Sequence, residues 1–252
     1  MAFCQLNYHS DALGKSVAAN VILPEANFKG PFPVFYLLHG RGDDHSIWMR
    51  RTSIERYASA WPMMIVMPDG GRGFYSDAVA GPAYESSIIH DLIPFIDGTF
   101  NTIAERSGRC VGGLSMGGYG ALRLALRFPE MFCSTNSHSG ALDFGHSEIE
   151  WANPDDQAEL ERICGPHPRG SEYDLYALAE KSDAATRPAL QIDCGTEDFL
   201  IEQNRAFHRH LDELQIAHEY AEYSGAHSWE YWDTHVQSAL QFHARHLGLA
   251  AS

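Results

Sequence analysis

The sequence has no apolar run long enough to cross a bilayer. Val34–Leu38 and Met63–Met67, among its longest, fall far short of the roughly 20 residues a spanning helix needs. It also lacks a basic, hydrophobic leader: the start, Met-Ala-Phe-Cys-Gln-Leu-Asn-Tyr-His-Ser, predicts no secretory signal and hence a cytoplasmic location. No C-x-x-C pair occurs among the five cysteines at 4, 110, 133, 164 and 194. Reduced, buried thiols are expected rather than a disulfide framework or a cysteine-based metal centre. Positive charge is scarce too. Eighteen Lys and Arg face 33 Asp and Glu, giving a formal net charge of −15, which repels phosphate backbones and excludes nucleic acid as the expected partner. Internal repeats, low-complexity tracts and linker-like stretches are all missing. A single domain over 1–252 is the expectation, and 44% apolar residues suffice for a large core.

What is present is an alternation of strand and helix signals. Residues 3–9 and 15–23 read as two strands joined by a turn at Asp11–Gly14. Val34–Leu38 and Met63–Met67 read as central parallel strands buried on both faces, because they are continuous apolar runs rather than alternating ones. A helix is predicted from Trp48 to about Ala58, and another over 87–100 with Pro94 placed to kink it. Further strands are predicted at 109–114, 132–138, 189–194 and 218–223, and further helices at 116–128, 199–214 and 228–247. Residues 143–186 break the alternation and read as a cap-like insertion, helical near 155–163 and 171–180. This order predicts an α/β protein with a mostly parallel, doubly wound sheet.

The segment Cys110–Leu122 holds Gly113-Leu114-Ser115-Met116-Gly117, a Gly-x-Ser-x-Gly pentad between a predicted strand and a predicted helix. Such a serine sits on a sharp turn at the carboxyl edge of the sheet, above the positive end of a helix. A β-carbon at either flanking glycine would collide with a neighbouring element. An unaided hydroxyl is hardly ionised, so Ser115 needs a base, and the base needs an acid to fix its tautomer. In this class of sheet both come later in the chain, acid before base. Of fourteen histidines, ten follow Ser115, but only His227 lies in the loop just after the last predicted strand. His208, His210, His235, His243 and His246 fall in predicted helices, and His138 comes too early for that order. The acid is Asp198 by position, in the turn after strand 189–194, with Glu197 equally placed by spacing; helix capping is the competing role for Asp198. Backbone N–H groups of Met116 and Arg41 are the candidate oxyanion donors, with Gly40 or Gly42 as substitutes for Arg41. His39 reads as a buried residue shaping that bend. Trp48, Phe74, Tyr84, Trp229 and Trp232 are candidates for an apolar substrate pocket, with core packing as the alternative for each.

These residues resemble the esterase D-type α/β-hydrolases, most of all their tributyrin esterase (acetyl esterase) branch. The likeness runs through Val21-Ile-Leu-Pro24, Tyr36-Leu-Leu-His-Gly40, Pro68-Asp-Gly-Gly-Arg-Gly-Phe-Tyr75, Gly113-Leu-Ser-Met-Gly-Gly-Tyr-Gly-Ala121, Cys194-Gly-Thr-Glu-Asp-Phe-Leu200 and Gly225-Ala-His-Ser-Trp229. It implies the α/β-hydrolase fold with about eight strands, a nucleophile at Ser115, an acid at Asp198 and a base at His227. It also implies hydrolysis of short acyl esters with no cofactor and no metal. Related branches include S-formylglutathione hydrolases and feruloyl esterases. The former carry a Ser-Gly-Leu-type bend where this chain has His39-Gly40-Arg41, which lowers the weight on glutathione thioesters. Arg41, Arg50, Arg51 and Arg72 could offer charge to an anionic substrate, with solvated surface arginines as the plainer reading. The expected partner is a small-molecule ester, no membrane is implied, and a homo-oligomer is compatible with the sequence. Two rivals are a binding protein on an inactivated hydrolase scaffold and a metalloenzyme using His208-x-His210 or His243-x-x-His246.

Overall fold

The computed structural model describes residues 1–147 and 154–250. Eight strands form one sheet: β1 (Ala2–Ser10), β2 (Lys15–Leu23), β3 (Val34–Leu38), β4 (Met64–Pro68), β5 (Arg109–Leu114), β6 (Ser134–His138), β7 (Ala189–Gly195) and β8 (Glu219–Tyr223). Their spatial order is β1-β2-β4-β3-β5-β6-β7-β8. β1 and β2 pair antiparallel, β2 runs antiparallel to β4, and every pairing from β4 through β8 is parallel. This is the α/β-hydrolase fold expected from the sequence. β3, β4, β5 and β6 are buried along their whole lengths, as strands covered by helices on both faces must be.

The helices are α1 (Ile47–Arg51), α2 (Ile54–Ala58), α3 (Tyr84–Ser86), α4 (Ile93–Thr99), α5 (Met116–Arg127), α6 (Pro154–Cys164), α7 (Leu175–Lys181), α8 (Ile201–Glu213) and α9 (Trp229–His246). Two apolar clusters cover the sheet. One joins residues of α5, α7 and α8 with Ile88–Ile96; the other joins α1, α2 and α9 with the opposite face of β3 and β4. Among the described residues no helix is long and apolar enough to cross a membrane.

Several boundaries differ from the sequence expectation, each for a local reason. The helix predicted over 48–58 is two helices. The backbone of Thr52 is extended, its hydroxyl donates to the Trp48 carbonyl, and the Ser53 N–H is taken by Asp233 Oδ1 at 2.7 Å. The helix predicted over 87–100 begins at Tyr84 and widens into a π-helical turn over Ser87–Leu92, where Ile93 N–H reaches Ile88 O. Pro94 follows directly. It has no N–H to offer His90, so the chain changes pitch just before it instead of breaking. The strand predicted from 132 starts at Ser134, and the helix predicted from 199 starts at Ile201.

The insertion read over 143–186 lies in part on 148–153, outside the described residues. Of the rest, α7 packs beside α5 and α8. α6 lies against the loops leaving β3 and β4: Val79 and Ala80 donate their N–H groups to Ile163 and Arg162 carbonyls at 2.9 Å. Inside the core, Arg123 is buried with its guanidinium on the Glu85 carboxylate and on the Glu172 carbonyl. Arg127 meets the same carboxylate at 2.9 Å, so Glu85 ties α3 to α5 through two arginines, and removing it would strand the buried Arg123 charge in a low dielectric.

Candidate active site

Ser115 lies between β5 and α5 at φ 53° and ψ −117°, a strained left-handed conformation for a residue with a side chain. Neighbouring elements enforce it. A β-carbon on Gly117 would meet the His39 and Leu38 carbonyl oxygens at 2.6 Å, and one on Gly113 would meet Gly117 and Leu38 backbone at 2.7 Å. Both glycines therefore let α5 close onto β3, and the turn between them raises the serine hydroxyl out of the sheet. The Ser115 N–H is tied to His138 O at 2.9 Å, and Ser115 O accepts from Tyr119 and Ala141 N–H, which fixes the turn from both sides.

The loops after β7 and β8 touch. A β-carbon on Gly195 would fall 2.1 Å from Gly225 O, and Glu197 N–H donates to that carbonyl at 3.0 Å. This contact brings Asp198 and His227 together. His227 Nδ1 lies 3.0 and 2.9 Å from the two Asp198 carboxylate oxygens, and His227 Nε2 lies 3.0 Å from Ser115 Oγ. With Nδ1–H donating to the carboxylate, Nε2 is left as acceptor for the serine O–H. Asp198 is 2% exposed. Burial alone would raise its carboxyl, but hydrogen bonds from His227 and the Leu200 N–H outweigh it and hold the group below the usual carboxylate range. The carboxylate thus also serves the start of α8, through Leu200 N–H at 2.8 Å, although the helix cap itself is Leu200. Glu197 points elsewhere, accepting Gly225 N–H, and does not reach His227.

On the other side of Ser115, the chain leaves β3 through a turn closed by Asp43 N–H on Gly40 O at 3.2 Å. That bond uses the N–H of Asp43, not that of Arg41. A methyl on Gly40 would stand 3.7 Å from Ser115 Cβ, so the bend passes beside Ser115. His39 is 1% exposed and shapes it: its Nε2 accepts Gly70 N–H at 2.9 Å and its Nδ1 faces Gly40 O at 2.8 Å. Tyr75 grips the same residue, its hydroxyl meeting both His39 N–H and His39 O. Met116 is the first residue of α5, so its N–H has no acceptor within the helix. Met116 follows Ser115 directly, and Arg41 lies in the bend that passes beside it.

The aromatic candidates divide. Trp232 packs edge-on against His227, 4.8 Å between centroids, and Trp229 packs against Trp232 and Trp48. Trp48 is 1% exposed and its indole N–H is spent on Leu38 O, which makes it a core residue. Phe74 is buried and stacked on Phe144 at 4.0 Å. Tyr84 covers Gly71 and Gly73. Sequence reasoning missed two residues. Phe199 is 74% exposed yet its ring centroid lies 4.5 Å from that of His227, an apolar wall on the solvent side of the imidazole. Ser139, at φ 48°, accepts the Trp232 indole N–H at 3.3 Å, beside the ring that packs on His227. Phe199 follows the acid directly in the sequence; Ser139 carried no sequence signal.

Histidines outside this group are used otherwise. His138 and Asp193 form a buried pair at 2.6 Å, with Tyr231 on the second carboxylate oxygen. His243 bonds Ser134 and Asn136 inside the core. His208 does not converge with His210. It meets His218 at 2.7 Å, with Asp212 nearby, where α8 ends and β8 begins, at the sheet edge opposite Ser115. Burial raises the thiols of Cys110, Cys194 and Cys164, the last to about 11, which leaves them poor nucleophiles.

The family model Esterase matches residues 10–243. An esterase of Mycobacterium tuberculosis is 33% identical over 252 residues, covering 87% of this chain and 54% of that protein, so the chain spans about half the length of this relative. An acetyl esterase of Caldicellulosiruptor saccharolyticus is 27% identical, covering 96% of this chain and 98% of that one. Two Staphylococcus aureus structures are each 30% identical and cover 96% of this chain and 98% of theirs. They are fluorophosphonate-binding serine hydrolase F, at a TM-score of 0.86, and an S-formylglutathione hydrolase, at 0.83. The chain belongs to the Esterase family and has the α/β-hydrolase fold.

Proposed function

We propose that the chain hydrolyses short-chain acyl esters through an acyl-enzyme on Ser115. The observation that carries this reading is the unbroken chain of contacts from Asp198 through His227 to the Ser115 hydroxyl. His227 Nε2 takes the hydroxyl proton as Oγ attacks the ester carbonyl. The Met116 and Arg41 N–H groups stabilise the oxyanion, and the alcohol leaves with the proton from Nε2. Water then attacks the acyl-enzyme, His227 again taking the proton. Asp198 remains ionised throughout, holding the tautomer and balancing the imidazolium. No cofactor or metal enters any step.

The acyl preference is supported by the acetyl esterase relative, and the Phe199 and Trp232 rings against His227 supply apolar surface for a small acyl or alcohol group. The test is a p-nitrophenyl ester series from acetate to palmitate. Highest kcat/KM from acetate to butyrate, falling by at least about tenfold by octanoate, is the expected result. Highest kcat/KM on palmitate contradicts it.

The second reading is S-formylglutathione hydrolysis, favoured by the 30% identical Staphylococcus aureus structure. The charges beside Ser115 weigh against it. Arg41 and Arg72 are already paired with carboxylates of α6, and the Asp43 side chain stands beside the bend, 3.4 Å from where a Gly40 methyl would sit. A glutathione moiety carries net negative charge, and the Arg41 and Arg72 guanidinium groups it would look to are already held by carboxylates.

A further inference from the structure

α6 reaches across the carboxyl edge of the sheet to two arginines that border the site. Arg41, in the bend that passes beside Ser115, places its guanidinium on Asp156 and Glu159. Arg72, from the loop after β4, clamps Glu159 with two bonds of 2.7 Å, from Nε and Nη2, and reaches Asp156 at 3.4 Å. The fork-on-carboxylate geometry is the strong form of an arginine pair. Hydrogen bonds from Arg72 and Arg41 lower the Glu159 carboxyl to about 2, so it stays charged across the working range of an esterase. Among the described residues, two positive and two negative charges therefore meet in one cluster at the bend beside Ser115. Without α6 the same place would hold two arginines.

The cancellation has a consequence for substrates. Arginine pairs beside an active site attract carboxylates, through their forked geometry and through the field they project into a cleft. Here that attraction is spent within the protein. The Asp43 carboxylate, near the same bend and pushed up by burial, adds negative character when ionised. We propose that Asp156 and Glu159 are specificity-determining residues: by neutralising Arg41 and Arg72 they set the site for uncharged esters and against esters with an anionic leaving group. This rests on the ester-hydrolase reading given above.

The test compares two acetyl esters that differ in charge only at the leaving group, 4-acetoxybenzoate and its methyl ester. Both share the acetyl-transfer chemistry, so the ratio of their kcat/KM values cancels any general effect on the oxyanion bend. In Asp156→Asn/Glu159→Gln the ratio of anionic to neutral ester is expected to rise about tenfold at low ionic strength. The gain should shrink as salt approaches 1 M, where charges beyond about 3 Å are screened. Arg72→Gln, which leaves the carboxylates in excess, is expected to shift the ratio the other way, about threefold or more. A ratio unmoved in both variants overturns the proposal, as does a rise in Arg72→Gln. If the double variant fails to fold, Arg72→Gln decides alone: a fall supports the proposal and no change overturns it. A parallel Ser115→Ala sample separates this outcome from the mechanism. Retained turnover there sinks the serine reading, whatever the charge ratio does.

Discussion

Ser115→Ala, purified beside the parent protein, is expected to lose on the order of 10⁴–10⁶ in kcat on p-nitrophenyl acetate, the range seen when a nucleophile is removed from a cooperating triad. The expected loss is this large because Ser115 does not act alone. Its hydroxyl is 3.0 Å from His227 Nε2, and that imidazole is held by both oxygens of Asp198. With the oxygen gone, the imidazole and the oxyanion donors have no nucleophile to serve, and only water activated in place of serine remains. The fold should survive. The helix α5 starts from backbone contacts at Ser115, namely its N–H on His138 O and its O on Tyr119 N–H, and neither uses Oγ. Alanine also lacks the bulk to collide with the bend. Unchanged circular dichroism with activity lost is the expected pair of results; near-parent kcat would discard the mechanism.

Asp198→Asn carries the second large effect. The amide offers an N–H where the carboxylate offered only acceptors, so it favours the imidazole tautomer with the proton on Nε2. That tautomer cannot accept from Ser115. A loss in kcat of about 10⁴, with a smaller change in KM, is expected from the corresponding change in a known triad. Direction with pH follows from the carboxyl being held below its ordinary range. The stabilisation from its bonds to His227 and Leu200 N–H is fully present above the unfolded carboxyl value of about 3.9 and is lost as pH falls through the lower folded value. The parent protein should therefore exceed Asp198→Asn in urea midpoint near pH 7, and the gap should narrow in strong acid. A variant with parent-like kcat would remove Asp198 from the account, leaving Glu197 as the carboxylate to test.

Much of this arrangement was legible in the sequence because the physics behind it is local. Continuous apolar runs marked β3 and β4 as central strands, and the pentad marked the turn at Ser115 because only glycine fits beside the Leu38 and His39 carbonyls. The order of acid and base followed from strand order, since loops at one sheet edge must supply both. What stayed hidden depends on contacts distant in sequence. The break at Thr52–Ser53 is fixed by Asp233, far along the chain in α9. The roles of Arg41 and Arg72 depend on where α6 comes to lie, which no spacing rule gives. Trp48 and Trp232 look alike as letters, yet one fills the core and the other packs on the His227 ring. The pitch change before Pro94 was half visible: proline announced a disturbance, but not that a wider turn would absorb it.

The central claim is that Ser115 becomes covalently acylated. Its most direct measurement is mass spectrometry of the intact protein and its peptides after brief incubation with a fluorophosphonate, which mimics the tetrahedral intermediate. The account predicts one adduct per chain, carried by the peptide containing Ser115, with activity lost in step with labelling and no adduct on Ser115→Ala. Full inhibition with the adduct on another residue, or ester turnover that persists after Ser115 is fully labelled, would contradict it.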